Sequence, residues 1–239
     1  MGRETGGATR RPASRFITGL PLCPDMYDSR ASALAGLLVV LVLTTGCLGL
    51  VTGSEPAVFT ASEVGVSDAA LSETDFQHED TRTEWLNRTV SAAGQEREVR
   101  VQNHVSSYRR PAQVDVDDGL TFGYFVVAAT PQASIAGQAL NPIGQMSPRE
   151  MVDQLASGQN AVSDIQREDE RSLSVLGADA EVVRFSGTVE RQGREIPVYV
   201  EVTRVQDGGD FVVGIGAYPQ ENADAVRPGV TTLFEGIDH

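Results

Sequence analysis

A chain of 239 residues with 41% apolar side chains is long enough to bury a core, and 33 acidic residues against 19 basic ones give it a net charge of -14. A field of that sign repels phosphate backbones, which excludes nucleic acid as a partner class. All 19 basic residues are arginine; the lack of lysine departs from the Lys-and-Glu enrichment of hyperthermophiles and suits a halophile, with an ordinary acidic protein of a GC-rich genome as the alternative.

Residues 1–25 carry Arg3, Arg10, Arg11 and Arg15 without periodicity. The Arg10-Arg11 pair hints at twin-arginine export, although Pro12 follows it directly. Met26 opens a second complete n-region, so translation starts at Met1 or at Met26. From Ala31 to Leu43 every residue is small or apolar, and the run ends in Thr44-Thr45-Gly46-Cys47. That layout is a secretory signal with an apolar core too short to span a bilayer by itself. The segment resembles a lipoprotein signal peptide, which implies cleavage between Gly46 and Cys47 and a lipid on the Cys47 thiol; Thr44 stands where leucine is commoner. An uncleaved anchor is the rival reading, because residues 31–51 contain no charge. Both place the remainder outside the cell.

The expected organisation is an N-terminal extension and signal over 1–46, a flexible tether over 47–57, and one extracytoplasmic domain over 58–239. A tether of that length spans roughly 15 to 20 Å as a coil. With Cys47 lipidated, no cysteine remains for a disulfide or a thiol nucleophile.

Within the domain, residues 76–90 and 98–105 read as a long β-hairpin turning at Ala92-Ala93-Gly94-Gln95, with Val99, Val101 and Val105 on one face. An extra loop is expected over 109–119. Residues 120–130, LTFGYFVVAAT, are nearly all apolar and predict a central strand. Ser147, Pro148 and Glu150 form a capping box that starts a helix over 147–155. Strands follow at 181–190, 195–205 and 211–218, joined by turns at Arg191-Gln192-Gly193-Arg194 and Asp207-Gly208-Gly209-Asp210. A terminal helix lies within 222–236, limited by Pro228 and Gly229. The likeness of TVSAAGQEREVRVQ to TVERQGREIPVYVE, and of FVVAATPQ to FVVGIGAYPQ, suggests two copies of a β-β-β-α unit. The expected fold class is α+β, a mainly antiparallel sheet with helices packed on one face.

Residues that carry chemistry are sparse. His78, His104 and His239 are far apart, and HEDTR at 78–82 lacks the second histidine of a zinc protease motif. Asp115, Asp117, Asp118 and Gly119 have the wrong spacing for a calcium loop and read as a surface turn. Ser67 is better placed as a helix N-cap than as a nucleophile, and Glu168-Asp169-Glu170 reads as a solvated face. No catalytic residue, metal site or cofactor is therefore expected. Two features stand out. Asn87-Arg88-Thr89 is a glycosylation sequon, usable if Asn87 faces solvent. The sparsely charged loop from Pro131 to Ser147 joins a central strand to a capped helix, and its Asn141, Pro142, Ile143, Gly144 and Met146 could shape a ligand or partner site. The same loop could instead pack Ile135, Leu140 and Ile143 over the sheet.

LTTGC at 43–47, NRTV at 87–90, ATPQ at 129–132 followed by NPIGQMS at 141–147, and FVVGIGAYPQ at 211–220 together resemble an uncharacterised lipoprotein family of halophilic archaea, a domain of unknown function. The resemblance implies location and fold and no active site. The second half, from LGADAEVVRF at 176–185 to Tyr218-Pro219-Gln220, is also similar to the PsbP-like fold of membrane-attached accessory proteins. The favoured reading is a non-enzymatic binding or assembly factor, held on the extracytoplasmic face of the cell membrane by lipid at Cys47 and meeting a membrane or surface protein. The alternative is an extracytoplasmic hydrolase whose site is assembled from distant residues.

Overall fold

The computed structural model describes residues 56–92, 95–115, 119–135, 138–156, 162–191 and 193–239. Gly46, Cys47, the signal segment and most of the tether lie outside them, as do Asp117 and Asp118.

The first part of the chain forms β1 (Ala57–Thr60), β2 (Gly65–Val66) and the short helix α1 (Asp68–Ser72). Ser67 caps α1, its Oγ accepting from the Ala70 N–H at 3.4 Å. A meander then runs through β3 (Gln77–Ala92), β4 (Gln95–Asp115) and β5 (Gly119–Pro131). The expected loop over 109–119 is instead mostly strand: β4 continues to Asp115 through a bulge between Arg110 and Gln113, pairing Val114 with Leu120.

Between β5 and the next helix lie the two-residue strands β6 (Ser134–Ile135) and β7 (Gln138–Ala139) and a 3-10 turn at Pro142–Gly144. Helix α2 (Pro148–Ala156) follows, then a second meander of β8 (Val162–Val175), β9 (Ala178–Arg191), β10 (Arg194–Asp207) and β11 (Asp210–Pro219). The β10–β11 connection is a two-residue hairpin with Gly208 and Gly209 at φ 54° and 92°, a left-handed pair that glycine supplies without a Cβ clash. Helix α3 (Ala223–Glu235) has Pro228 in its interior, and β12 (Ile237–Asp238) pairs with β2.

The main sheet has eight strands in the order β1-β4-β5-β11-β10-β9-β8, with β3 also on β4. The β1–β4 pair is parallel and the rest are antiparallel. The two meanders join where β5 meets β11, Tyr124 opposite Ala217 and Pro131 opposite Asp210.

The expected fold class is corrected in two respects. The protein is mostly β, a large mixed sheet with three helices, and the helices do not share one face. On one face α3 packs Val226, Val230, Leu233 and Phe234 against Phe125, Val127, Val182 and Val212. On the other, α2 packs Met151 and Val152 against Val183, Phe185, Val200, Val202 and Val213. Neighbours such as Val182 and Val183, or Val212 and Val213, point to opposite faces of the pleat, so both need cover. Gly123 and Gly216 let the α3 face close tightly, since a Cβ there would run into Phe76 and Val230 respectively. The strand order also gives the second half a fourth strand, β8, so it is not a plain copy of a three-strand and helix unit.

Candidate functional site: a cleft beneath the 131–147 segment

A largely apolar cleft of about 450 Å³ opens on the α2 face. Its floor is the sheet: Val105 of β4, Val126 and Ala128 of β5, and Val213 and Ile215 of β11. These side chains share a face because β4, β5 and β11 are adjacent, with Val105 opposite Ala128 and Val126 opposite Ile215. One wall is Pro142, Ile143, Met146 and Met151, and the other is the edge strand β3 with Arg82, Glu84, Leu86 and Arg88. The described lining includes no serine, histidine or aspartate.

The segment over the cleft is pinned. Asn141 caps the 3-10 turn, its Oδ1 accepting from the Ile143 N–H at 3.0 Å, and its amide nitrogen donates to the Thr130 hydroxyl. Thr130 in turn donates to Asn103 Oδ1 at 2.7 Å, which closes one end of the cleft with a polar chain. From below, Arg204 donates to the carbonyls of Ile143 and Met146, the latter at 2.8 Å. Gly144 lies on the Phe211 ring, where any Cβ would collide. Leu140 is buried with Val99, Val101 and Val90, while Ile143 and Met146 are half-buried at the cleft wall.

At the C-terminal end of the segment the capping box is present. Ser147 N–H and Oγ both donate to Glu150 Oε2, at 2.7 and 2.8 Å, and Ser147 Oγ accepts from the Glu150 N–H at 3.3 Å. The Ser147 backbone N–H, then its hydroxyl, hold the Glu150 carboxyl below the usual carboxylate range.

The sequence-predicted residues thus divide. Asn141, Pro142, Ile143 and Met146 meet at the cleft, whereas Gly144 serves the packing of the segment on Phe211. Asn87 is exposed on β3. His78, Thr81 and Ser106 form a chain on the opposite face (His78 Nε2 to Thr81 Oγ1 2.8 Å, Thr81 Oγ1 to Ser106 Oγ 2.9 Å), and the Ser106 proton is committed to the Val64 carbonyl at 2.7 Å. His239 lies between Asp207 at 2.9 Å and Asp210 at 3.1 Å, and Asp210 also accepts from the Ser62 N–H. Among the described residues no group of histidine, cysteine and acidic side chains could hold a metal ion, and no helix is long and apolar enough to cross a membrane.

Sequence reasoning missed a buried ionic cluster on the α3 face. Glu201 has no exposure; it accepts from Arg171 Nη2 at 2.7 Å and from the Tyr218 hydroxyl at 2.9 Å, and Arg227 Nε stands 3.4 Å away. Arg184 pairs with Asp169 at 3.3 Å and lies over the Tyr199 ring at 4.8 Å. Burial and the adjacent Glu201 carboxylate push the Tyr218 phenol far above its ordinary value. The signal was present in VYVEV at 198–202, where Glu201 falls in an apolar run with apolar neighbours of both parities.

The model of one family, described as a domain of unknown function (DUF6517), matches residues 63–238, and the chain belongs to that family. No curated protein matches it in sequence. Among solved structures, PA94 of Pseudomonas aeruginosa, a protein of unknown function, is similar with a TM-score of 0.38 at 8% identity over 62% of this chain and 94% of that one. LpqN of Mycobacterium tuberculosis, involved in cell envelope biogenesis, is similar with a TM-score of 0.34 at 10% identity over 72% and 96%. Both scores are low, and neither likeness bears on the fold or function of this chain.

Proposed function

We propose that this member of the DUF6517 family is an exported binding or assembly factor, tied to the outer face of the cell membrane by lipid at Cys47, which receives an apolar segment of a neighbouring membrane protein in the cleft. The observation that carries this reading is the cleft itself: an apolar floor from three strands beneath a pinned, uncharged segment. Interface cores are apolar and depleted in charge, and this surface departs in that way from the acidic remainder of the chain. Arg82 is paired with Glu84 at 2.8 Å, and Arg88 at the rim favours a partner with an acidic group beside its apolar side chains. The signal layout before Cys47 supports the location. The lack of lysine and the net charge of -14 support a halophilic source, and the archaeal part of that reading rests on the resemblance alone; the PsbP-like likeness of the second half rests on strand order and a few residues.

Ala128→Phe tests the cleft, because a ring on its floor fills the space without burying a charge. A photo-crosslinker placed at Arg88 in membranes of the source organism is expected to capture one membrane protein, and Ala128→Phe to remove that product while the melting temperature stays within a few degrees. Capture that survives the plug at full yield sinks the reading. Cys47→Ser tests the anchor: the wild-type chain is expected to begin at a lipidated Cys47 by mass spectrometry, and the variant to accumulate as precursor. An unmodified thiol with residues 31–46 attached would instead establish the uncleaved anchor.

A further inference from the structure

We infer that Asn87 carries an N-linked glycan whose first sugar lies on the ring of Trp85. The site rests on the export proposed above, and it adjoins the cleft, whose lining includes Trp85. Three observations converge on it. Asn87-Arg88-Thr89 has the acceptor sequence. Residues 85, 87 and 89 share one face of β3, because side chains alternate along a strand, and all three are exposed. Trp85 is one of two large apolar side chains that the described protein leaves open, 54% exposed, and it stands two positions before the acceptor on that same face.

The surroundings leave room for a sugar. β3 is an edge strand, paired on one side only, with β4. Opposite Trp85, Asn87 and Thr89 stand Gln102, Arg100 and Glu98, and beyond β4 lie Val58 and Thr60 of β1. Val58, 55% exposed, is the other open apolar side chain and falls on this same face. Helix α3 covers β5, β8 and β11 rather than β3, so this end of the sheet faces water. About half of Trp85 is open to water next to the acceptor amide, and the residue also borders the cleft. The apolar face of a pyranose ring attached at Asn87 supplies a partner within reach of one i, i+2 spacing. A glycan there also shields an exposed edge strand from pairing with another chain.

The transfer balances with one co-reactant, a lipid-linked saccharide presented by a membrane transferase. A bond forms between Asn87 Nδ2 and the anomeric carbon, and the bond from that carbon to the lipid phosphate breaks. The amide proton passes to a base of the transferase, and the phosphate leaves with the electron pair.

Trp85 is the single tryptophan of the chain, so its fluorescence reads the contact directly. Full-length protein purified from membranes of the source organism is analysed by intact mass and by quenching with acrylamide. A saccharide increment is expected on the chain that begins at Cys47, lost in Asn87→Gln and Thr89→Ala and kept in Thr89→Ser. Quenching is expected to be roughly two-fold weaker in the glycosylated protein than in Asn87→Gln, since a sugar over one ring face hides about half of what the indole shows to water. A chain processed at Cys47 with bare Asn87 overturns the glycan and leaves export standing. A chain with bare Asn87 that protease added to intact cells leaves uncut overturns both, and equal quenching with the sugar present overturns the stacking on Trp85.

Discussion

Glu201 shows how much a single side chain can be asked to hold. It is buried on the α3 face with Arg171, Arg227 and the Tyr218 hydroxyl around it. Removing one partner of a buried ionic group leaves the others uncompensated, so Glu201→Ala is expected to cost about 3–5 kcal/mol, read from the urea midpoint. Glu201→Gln keeps an acceptor for Tyr218 but loses the charge, and should fall between that variant and wild type. The phenol of Tyr218 gives a separate test. Its folded value is raised above the unfolded one, so its contribution is fully present below about pH 10 and is lost as the pH rises through the folded value. Stability should therefore fall on the alkaline side in thermal melts, and Tyr218→Phe should flatten that slope. Tyr108, raised by its own burial, supplies what remains of it.

Among the elements, the segment from Pro131 to Ser147 and helix α2 work as one piece. Ser147→Ala removes the cap of α2 and is expected to cost about 1 kcal/mol. It should also loosen Met146 at the cleft wall, which would appear as faster amide exchange at Ile143 and Met146. Much of this was legible in sequence. The capping box, the Gly208-Gly209 turn and the central position of β5 follow from residue types and spacing. The cleft floor was not, because it requires β5 to lie beside β11, and nothing local records that pairing. Strand β8 was hidden for a different reason. Its Gln166–Arg171 stretch is almost wholly charged, as befits an edge strand that blunts its own pairing with charge and with bulges at Ser163/Gln166 and Arg167/Asp169. The placement of helices on two faces was readable in principle, since FVVAA and VYVEV are apolar at both parities, a pattern that needs cover on both sides.

For the whole molecule the dominant long-range term is charge. Three acids and five arginines lie in residues 1–46, which leaves 30 acids against 14 arginines beyond them. Self-repulsion in that part should grow as salt is withdrawn, because the Debye length lengthens from about 3 Å at 1 M to about 10 Å at 0.1 M. The melting temperature is expected to climb steeply with added KCl, and a flat curve would remove the argument for a halophilic source. The seam between the two meanders carries another kind of consequence, one of time. Within each meander the strands find their neighbours through short turns, but joining β5 to β11 closes a loop on the order of 80 residues. Contacts that distant form late and slow the search, which puts folding in the millisecond-to-second range rather than the microsecond range of helical bundles. If the proposed export carries the chain unfolded through a membrane channel, that delay is the interval in which translocation can outrun the closing of the sheet.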